Sequence, residues 1–381
     1  MSAEIATRVL SRLVEAPSTQ TALFEADPGV RAYLSETVAG LARELGLAPE
    51  FDAMGNLVVR SGRPGGRRVL IFAYAMTHPV NRMPDPFVAR LVSEGGRQWL
   101  HGRGAAEQKA AVAAALLAAG RLSERPPAGE MLLCVSTAGE TGRHDAARAF
   151  LGAYGTPAFD WAIVALGTAN TIGLGNKGRI DVLVRVAGRA AHSSTPWAGV
   201  NAITGAVEAI RRLEGVRLAG EHPELGKPTL TVTSVRSGPD ATHTVQDEVR
   251  MTLDRRLLPG DDPEGACADI ARALEGMEPW SVEVERGPFM YPSSLAEDAP
   301  LVALLQAASE RLGRERLTTT WSHGAIDAGF FNHQGVPAVM LGPGNPALFH
   351  TDDERVGIDD VTFAADLYEA AVRLHLEETR A

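Results

Sequence analysis

Cysteine is scarce in this chain of 381 residues, which contains only Cys134 and Cys267. Cys134 lies within the apolar run 131–135, which indicates a buried strand, so a disulfide-stabilised scaffold is not expected. Long uncharged runs are also lacking, because no stretch reaches the roughly 18 apolar residues that a membrane span requires. The N-terminus has no apolar signal-peptide core. We therefore expect a cytoplasmic protein.

An excess of positive charge is lacking as well. The chain has 37 Lys and Arg residues against 47 Asp and Glu residues, a formal net charge of −10. Nucleic acids and anionic membranes select basic proteins, so we expect neither as a partner. No Gly-x-Ser-x-Gly elbow is present, and Cys134 lies in an apolar run, so a nucleophilic serine or cysteine hydrolase is not indicated.

The hydrophobic pattern predicts an α/β fold with a largely parallel sheet, because short β-rich runs alternate with longer helical segments. Residues 69–73, 131–136 and 161–165 have the pattern of buried strands. The Ala-rich segment 107–122 and the segment 359–378, which has an apolar stripe at helical spacing, are predicted helices.

The middle of the chain has a different pattern, which predicts an inserted domain. The expected order is strand, helix, strand, strand, helix, strand, at residues 180–186, 200–213, 229–235, 248–253, 264–274 and 281–285. This βαββαβ order is the ferredoxin-like arrangement. We predict a catalytic-type α/β domain from residues 1–178 and 292–381, with residues 179–291 inserted as a lid and dimerisation domain.

Five segments, in the same order and at similar spacing, match motifs of one known family: residues 102–109, 188–202, 254–260, 342–344 and 350–354. Together they resemble the twentieth metallopeptidase family, which includes aminoacylase, acetylornithine deacetylase, succinyl-diaminopimelate desuccinylase and carboxypeptidase G. The resemblance implies a zinc-peptidase-like α/β domain with a ferredoxin-like insertion that pairs two chains into a homodimer. It also implies two zinc ions bridged by a carboxylate, with a nearby Glu as general base.

Four positions of the catalytic centre depart from the family pattern. By resemblance, Tyr74 replaces a metal-binding His and Met76 replaces the Asp that supports it. Gly139 stands where the family has its general base, and Leu166 stands where it has a carboxylate ligand. A thioether and an alkyl side chain cannot replace these carboxylates. We interpret the three lost-ligand positions as side chains that fill the space of a missing metal.

Three positions keep a metal-binding side chain by resemblance, namely Glu107, which replaces the bridging Asp but is still an oxygen ligand, Glu140 and His350. They could hold one divalent ion, such as zinc, manganese or cobalt, or they could form a hydrogen-bonded cluster with no metal. We do not expect a two-metal centre. His78, two residues after Met76, could be a relocated ligand or a structural loop residue.

The residues that handle substrate in the family are better retained. By resemblance, His192 reaches across a dimer interface to stabilise an oxyanion, and Arg256 binds a substrate carboxylate through paired hydrogen bonds. Arg256 could instead pair with Asp254, and His192 could be a hydrogen-bonded loop residue. His243 falls near the position of a family Asn that contacts substrate.

Three functions remain open at the level of sequence. The first is an enzyme with altered chemistry on an amino-acid-like or acylamino-acid carboxylate. The second is a pseudoenzyme that binds such a small-molecule ligand without turning it over. The third is a peptidase or amidohydrolase with relocated metal ligands. Loss of a general base typically costs about 10²–10⁴-fold in rate, so the usual di-zinc amide hydrolysis is expected to be lost or altered.

Overall fold

The computed structural model describes residues 3–139, 141–156, 158–238 and 241–377. The chain divides into two units. The larger unit contains Met1–Gly175, Ser294–Trp321 and Phe330–Ala381, and the smaller unit contains Asn176–Ser293 and Ser322–Gly329. Within the described ranges, each helix is too short or too polar to cross a lipid bilayer.

The strands of the described residues are numbered in chain order. They are β1 Glu50–Phe51, β2 Leu57–Gly62, β3 Arg68–Tyr74, β4 Arg90–Glu94, β5 Arg97–His101, β6 Glu130–Ser136, β7 Trp161–Ala165, β8 Ile172–Asn176, β9 Gly178–Ala187, β10 Ala191–His192, β11 Thr229–Gly238, β12 Thr244–Val245, β13 Glu248–Leu257, β14 Ser281–Met290, β15 Ser293–Ser294, β16 Thr319–Ser322, β17 Ala338–Met340 and β18 Arg355–Gly357.

The α-helices are numbered in the same way. They are α1 Ala3–Glu15, α2 Pro28–Ala32, α3 Ala39–Glu44, α4 Lys109–Glu124, α5 Asp145–Tyr154, α6 Ala202–Glu214, α7 Pro263–Ala273, α8 Pro300–Arg311, α9 Ala328–His333 and α10 Ile358–Glu377. A π-helical turn, Tyr33–Val38, joins α2 to α3. Short 3₁₀ turns lie at Phe24–Ala26, Pro196–Ala198 and Pro346–Leu348.

The main sheet of the larger unit has the order β1-β2-β6-β3-β7-β17-β8-β15. Its centre, β6-β3-β7-β17, is parallel, whereas β1, β2 and β8 pair antiparallel with their neighbours. Every residue of β3, β6 and β7 is buried, as expected of central strands that are covered on both faces. Helix α4 packs against α10, α1 and the sheet.

The predicted strand at 161–165 is confirmed as β7, and the two other predicted strands of this sheet are within one residue of β3 and β6. The helix predicted from residue 107 begins instead at Lys109. The reason is that the backbone N–H groups of Ala106 and Glu107 donate to the side chain of Glu354, so residues 103–108 form turns ahead of the helix.

The smaller unit is built on an antiparallel sheet with the order β11-β13-β9-β14, against which α6 and α7 pack. Along the chain its elements run β9, α6, β11, β13, α7, β14. The predicted βαββαβ order is therefore confirmed, and the strand order is that of a ferredoxin-like sheet. Alternate residues of β9 and β13 are buried, because one face of the sheet packs on the helices.

Candidate functional site

A buried ion pair shapes the loop that carries Glu107. The guanidinium of Arg103 lies 2.9 Å from Oε2 of Glu354, and both side chains are almost fully buried. The same carboxylate accepts backbone hydrogen bonds from Gly104 at 2.9 Å and from Ala106 and Glu107 at 3.1 Å each. The loop conformation requires a positive φ of 80° at Gly104, which only glycine adopts readily. Glu107 is thereby fixed in the turn that precedes α4.

Glu107 and His350 lie together, as the family resemblance leads us to expect. Nε2 of His350 is 3.3 Å from each carboxylate oxygen of Glu107. His350 has a positive φ of 61°, an uncommon conformation for a residue with a side chain and one that is often found at functional sites. Its carbonyl oxygen accepts a hydrogen bond of 3.1 Å from Nδ2 of Asn81. The pair offers one carboxylate and one imidazole.

His78 belongs to the same group of side chains. Its ring stacks on that of His350, with ring centroids 3.8 Å apart and an angle of 13° between the planes. Nδ1 of His78 also lies 3.0 Å from the carbonyl oxygen of Pro79. His78 therefore lies directly against the ring of His350.

Gly139, at the base position, is packed against Met76. A Cβ atom at residue 139 would lie 2.6 Å from the carbonyl oxygen and 2.7 Å from the Cβ of Met76. Contacts this short do not occur in folded proteins without a shift of the backbone. Met76 itself is fully buried, and its N–H donates to the carbonyl oxygen of Ala138. In this conformation there is no space for a side chain at residue 139.

Tyr74 is the last residue of β3, Leu166 follows the neighbouring strand β7, and both are mostly buried. The Tyr74 ring meets that of Phe72 edge to face, with centroids 5.7 Å apart. The backbone of Leu166 packs closely on Gly342, where a Cβ atom would come within 2.2 Å of the Leu166 carbonyl oxygen. Neither side chain offers the imidazole or the carboxylate that the family has there.

In the ranges that the structure describes, no three His, Cys, Asp or Glu side chains are grouped as a metal ion would require. The sequence-based candidate Glu140 lies outside these ranges. The described donors fit two metal ions poorly, because, by resemblance, Tyr74 and Leu166 stand where the family has two ligands of one metal and Met76 stands where it has the supporting Asp. One divalent ion suits Glu107 and His350 chemically, since these are carboxylate and imidazole donors.

Arg256, in the smaller unit, is paired with Asp254. Its Nε and NH2 atoms lie 2.7 and 3.1 Å from the two carboxylate oxygens, and NH1 lies 3.4 Å from the carbonyl oxygen of His323. Asp254 is also 3.2 Å from Nε of Arg179. The pKa of Lys177 is lowered by burial and by the charge of Arg256. Arg256 therefore lies among several charged side chains. Of these, only Asp254 was predicted from the sequence as its partner.

His192 and His243 are distant in sequence, but the pairing of β10 with β12 brings their segments together in the smaller unit. The N–H of Ser193 donates to the carbonyl oxygen of His243 at 2.9 Å. The N–H of Ser194 donates to Nδ1 of His192 at 3.2 Å, and the hydroxyl of Ser194 is 2.8 Å from the same atom. Since a backbone N–H can only donate, Nδ1 is an acceptor and the neutral ring carries its proton on Nε2. His192 therefore presents a hydrogen-bond donor.

A cavity of about 440 Å³ that is widely open to solvent lies in the larger unit, and no sequence signal predicts it. Its lining residues are Gln20, Thr21, Ala22, Phe24, His78 and Pro79. No motif marks the segment before Asp27, and Phe24 has a positive φ of 47°, which is not typical of phenylalanine.

Residues 77–374 match the family described as peptidase family M20/M25/M40, which is well over half of the chain. The chain belongs to this family. The M20 protein is 30% identical over 351 residues to the putative succinyl-diaminopimelate desuccinylase DapE of Mycobacterium tuberculosis, covering 87% of this chain and 92% of that relative. It is 29% identical over 323 residues to a putative [LysW]-lysine/[LysW]-ornithine hydrolase of Pyrobaculum aerophilum, covering 84% and 86% of the two chains.

Solved structures share the fold of this M20 protein. The metallo-carboxypeptidase Sso-CP2 of Sulfolobus solfataricus superimposes with a TM-score of 0.76 at 18% identity, covering 97% of this chain and 99% of that one. The YXEP protein of Bacillus subtilis, titled a dinuclear metal binding peptidase, has a TM-score of 0.69 at 16% identity, with 99% of each chain covered. Family membership supports a metallopeptidase-like or deacylase-like function.

Proposed function

We propose that this M20 protein binds an amino-acid-like or acylamino-acid carboxylate ligand, and that two-metal amide hydrolysis is lost or altered. The observation that carries the proposal is the packing of Gly139 on Met76. A Cβ atom at residue 139 would lie 2.6 Å from the Met76 carbonyl oxygen, so no general base can be accommodated there. Absence of such a base costs about 10²–10⁴-fold in the rate of a hydrolysis.

Glu107 is the nearest candidate for a substitute base, and its surroundings argue against that role. Both of its oxygens lie 3.3 Å from Nε2 of His350, and its side chain is 8% exposed. A carboxylate that is engaged in this way is better suited to bind a cation than to act as a general base. We propose that Glu107 and His350, with Glu140, hold at most one divalent ion of zinc, manganese or cobalt. When bound, such an ion would polarise a carbonyl group.

Two side chains of the smaller unit are proposed as ligand contacts by resemblance to the family. Arg256 would bind the ligand carboxylate, in competition with Asp254. The cations Lys177, Arg179 and Arg256 outnumber the carboxylates of Asp181 and Asp254 in this group, which favours an additional anion. The Nε2–H of His192 is a donor suited to a carbonyl or carboxylate oxygen.

A homodimer through the smaller unit is part of the proposal. Ile203 and Val207, one turn apart on α6, are 43% and 53% exposed, and Trp197 is 80% exposed. Residues four apart lie on the same helix face, so these aliphatic side chains form one apolar surface. Exposed aromatic and aliphatic residues of this kind are typical of protein interfaces.

Elemental analysis of protein purified without chelator tests the metal centre, and calorimetric titration tests the ligand. We expect one metal ion or none per chain, with any bound ion lost in His350→Ala. We expect N-acetyl amino acids to bind and the matching N-acetyl amino acid amides, which lack the carboxylate, to bind at least about tenfold more weakly. Arg256→Gln should abolish this difference, and Arg250→Gln, an exposed residue on the same strand, should preserve it.

Other outcomes would overturn the proposal. Two metal ions per chain together with rapid release of free amino acid would show an intact hydrolase, with His78 as the obvious additional ligand. Equal binding of the acids and the amides would exclude recognition of a carboxylate.

A further inference from the structure

The geometry points to a ligand subsite that family membership does not assign. We propose that the cavity of about 440 Å³ beside His78 binds a flat, uncharged aromatic group of the ligand, such as an arylacetyl group on an amino acid. The proposal deepens the proposed function and rests on it, because it names the acyl group of the acylamino-acid. The volume lies in the range usual for small-molecule sites.

Phe24 lines the cavity, and its backbone has an unfavourable conformation. Its φ is 47°, in the left-handed region that a bulky side chain rarely adopts. The turn is stabilised because Thr21 donates to Asp27, and Asp27 in turn accepts from the backbone N–H groups of Gly29 and Val30 at the start of α2. Strained residues that the surrounding structure holds in place concentrate at binding sites.

The Phe24 side chain is held as well as its backbone. The guanidinium carbon of Arg143 lies 4.8 Å from the centroid of the Phe24 ring. This is within the distance at which a cation is attracted to an aromatic face. Phe24 also lines the cavity. A ring fixed in this way offers a preorganised surface, which lowers the entropy that a ligand loses on binding.

His78 connects the cavity to the candidate catalytic residues. His78 lines the cavity. Its ring also stacks on that of His350, with ring centroids 3.8 Å apart, and Nε2 of His350 lies 3.3 Å from the carboxylate of Glu107. A group in the cavity that contacts His78 would therefore contact a ring that stacks on His350. We infer that the cavity takes a substituent of the ligand rather than its carboxylate.

The chemistry of the lining selects an uncharged flat group. Phe24, His78 and Pro79 are ring residues, and flat partners stack on such surfaces. The lining residues, all within the described ranges, include no Lys, Arg, Asp or Glu. Arg143 is nearby, but its guanidinium lies over the Phe24 ring, and its NH1 atom is 3.8 Å from a carboxylate oxygen of Asp145. A succinyl group would place a second carboxylate where no lining side chain carries a positive charge.

Calorimetric titration with three derivatives of one amino acid tests the proposal: N-phenylacetyl, N-acetyl and N-succinyl. We expect the N-phenylacetyl compound to bind about three- to tenfold more tightly than the N-acetyl compound, which is the effect of one aromatic contact. Phe24→Ala should remove this preference, so that the N-phenylacetyl and N-acetyl compounds bind with equal affinity. Leu23→Ala is the matched control, because Leu23 is the adjacent residue, is 58% exposed and does not line the cavity.

Phe24→Leu provides a second variant in case the smaller residue disturbs the turn. It retains an apolar side chain without a flat face, so the preference should fall while the thermal unfolding temperature stays close to that of the wild type. Equal affinity of the wild type for the phenylacetyl and acetyl compounds would overturn the proposal, as would a preference for the succinyl compound. Equal losses in Leu23→Ala and Phe24→Ala would also overturn it.

A fragment without a carboxylate separates this proposal from the proposed function. We would follow the ¹⁹F line width of 4-fluorophenylacetamide, which broadens when the fragment binds to the protein. Phe24-dependent broadening with no binding of any acylamino-acid would retain the aromatic subsite and exclude the proposed function. Binding of all acylamino-acids alike, with no broadening, would exclude the subsite alone. No binding in either experiment would exclude both.

Discussion

Arg103 and Glu354 form an ion pair that is closed off from solvent, although 251 positions separate them along the chain. NH1 of Arg103 lies 2.9 Å from Oε2 of Glu354, and the two side chains are 0% and 1% exposed. The carboxylate also accepts from the N–H of Glu107, a candidate metal ligand. Glu354 thereby links the C-terminal motif to the loop that presents Glu107.

Glu354→Gln should destabilise the protein strongly, because it leaves the Arg103 charge buried without its counter-ion. Loss of one partner of a buried pair typically costs about 3–5 kcal/mol in the free energy of unfolding. Urea denaturation measures this change. Glu44→Gln is the control, since Glu44 pairs with Arg12 at the surface and the free energy should stay almost unchanged. Similar losses in both variants would contradict a special role for the buried pair.

Gly139→Ala should lower the free energy of unfolding by about 1–3 kcal/mol, the usual cost of overpacking. The added Cβ would meet the carbonyl oxygen and the Cβ of Met76. Because an alanine at residue 76 keeps both atoms, the double variant Gly139→Ala/Met76→Ala should not regain stability. Gly152→Ala is the control, because Gly152 lies in α5 and its Cβ would meet no atom within 4 Å. That variant should be as stable as the wild type or more so. A neutral Gly139→Ala would show that a base can be accommodated at this position.

The central strands of the fold could be predicted because their residues carry a local signal. Residues 161–165 form an unbroken apolar run, and the structure places β7 there without change. The start of α4 could not be predicted to the residue. It depends on hydrogen bonds from Ala106 and Glu107 to Glu354, which is distant in sequence. Such a tertiary contact overrides the helical propensity of an Ala-rich segment.

The parts of the candidate site that lie in family motifs could be predicted from the sequence. The motif positions led us to expect Glu107 and His350 in one centre, and the two side chains are 3.3 Å apart. The stacking of His78 on His350 and the cavity at Phe24 had no local signal. Both involve a residue with a positive φ, His350 in the stacking and Phe24 in the cavity, and neither residue type favours this conformation.

His101 should make stability depend on pH in the mildly acidic range. Burial and the neighbouring Arg90 lower the pKa of His101 from its ordinary value near 6.5. The unfolded chain then binds the proton more tightly, so stability is full above about pH 6.5 and is lost as the pH falls through the lower folded pKa. His101→Gln should therefore lose less stability than the wild type in urea denaturation between about pH 5 and pH 7. His323→Gln, at an exposed position, is the control and should follow the wild type.

The apolar surface of α6 predicts the effect of a charge on association. Val207 is 53% exposed and lies one turn from Ile203 on the same face. If this face pairs two chains, Val207→Glu buries an unpaired charge at the interface and should raise the dimer dissociation constant at least about tenfold, or roughly 1.4 kcal/mol. Light scattering coupled to size-exclusion chromatography measures the molar mass over a range of concentrations. We expect a dimer for the wild type and a shift towards the monomer for the variant.

Leu91→Glu is the matched control for this substitution, because Leu91 is 47% exposed on β4 of the larger unit. The same change of an exposed aliphatic residue to Glu should leave the dimer intact there, since the proposed interface lies on the smaller unit. Dissociation in both variants would indicate a nonspecific effect of charge. A monomeric wild type at all concentrations would contradict the homodimer, and a dimer that persists in Val207→Glu would move the interface away from α6.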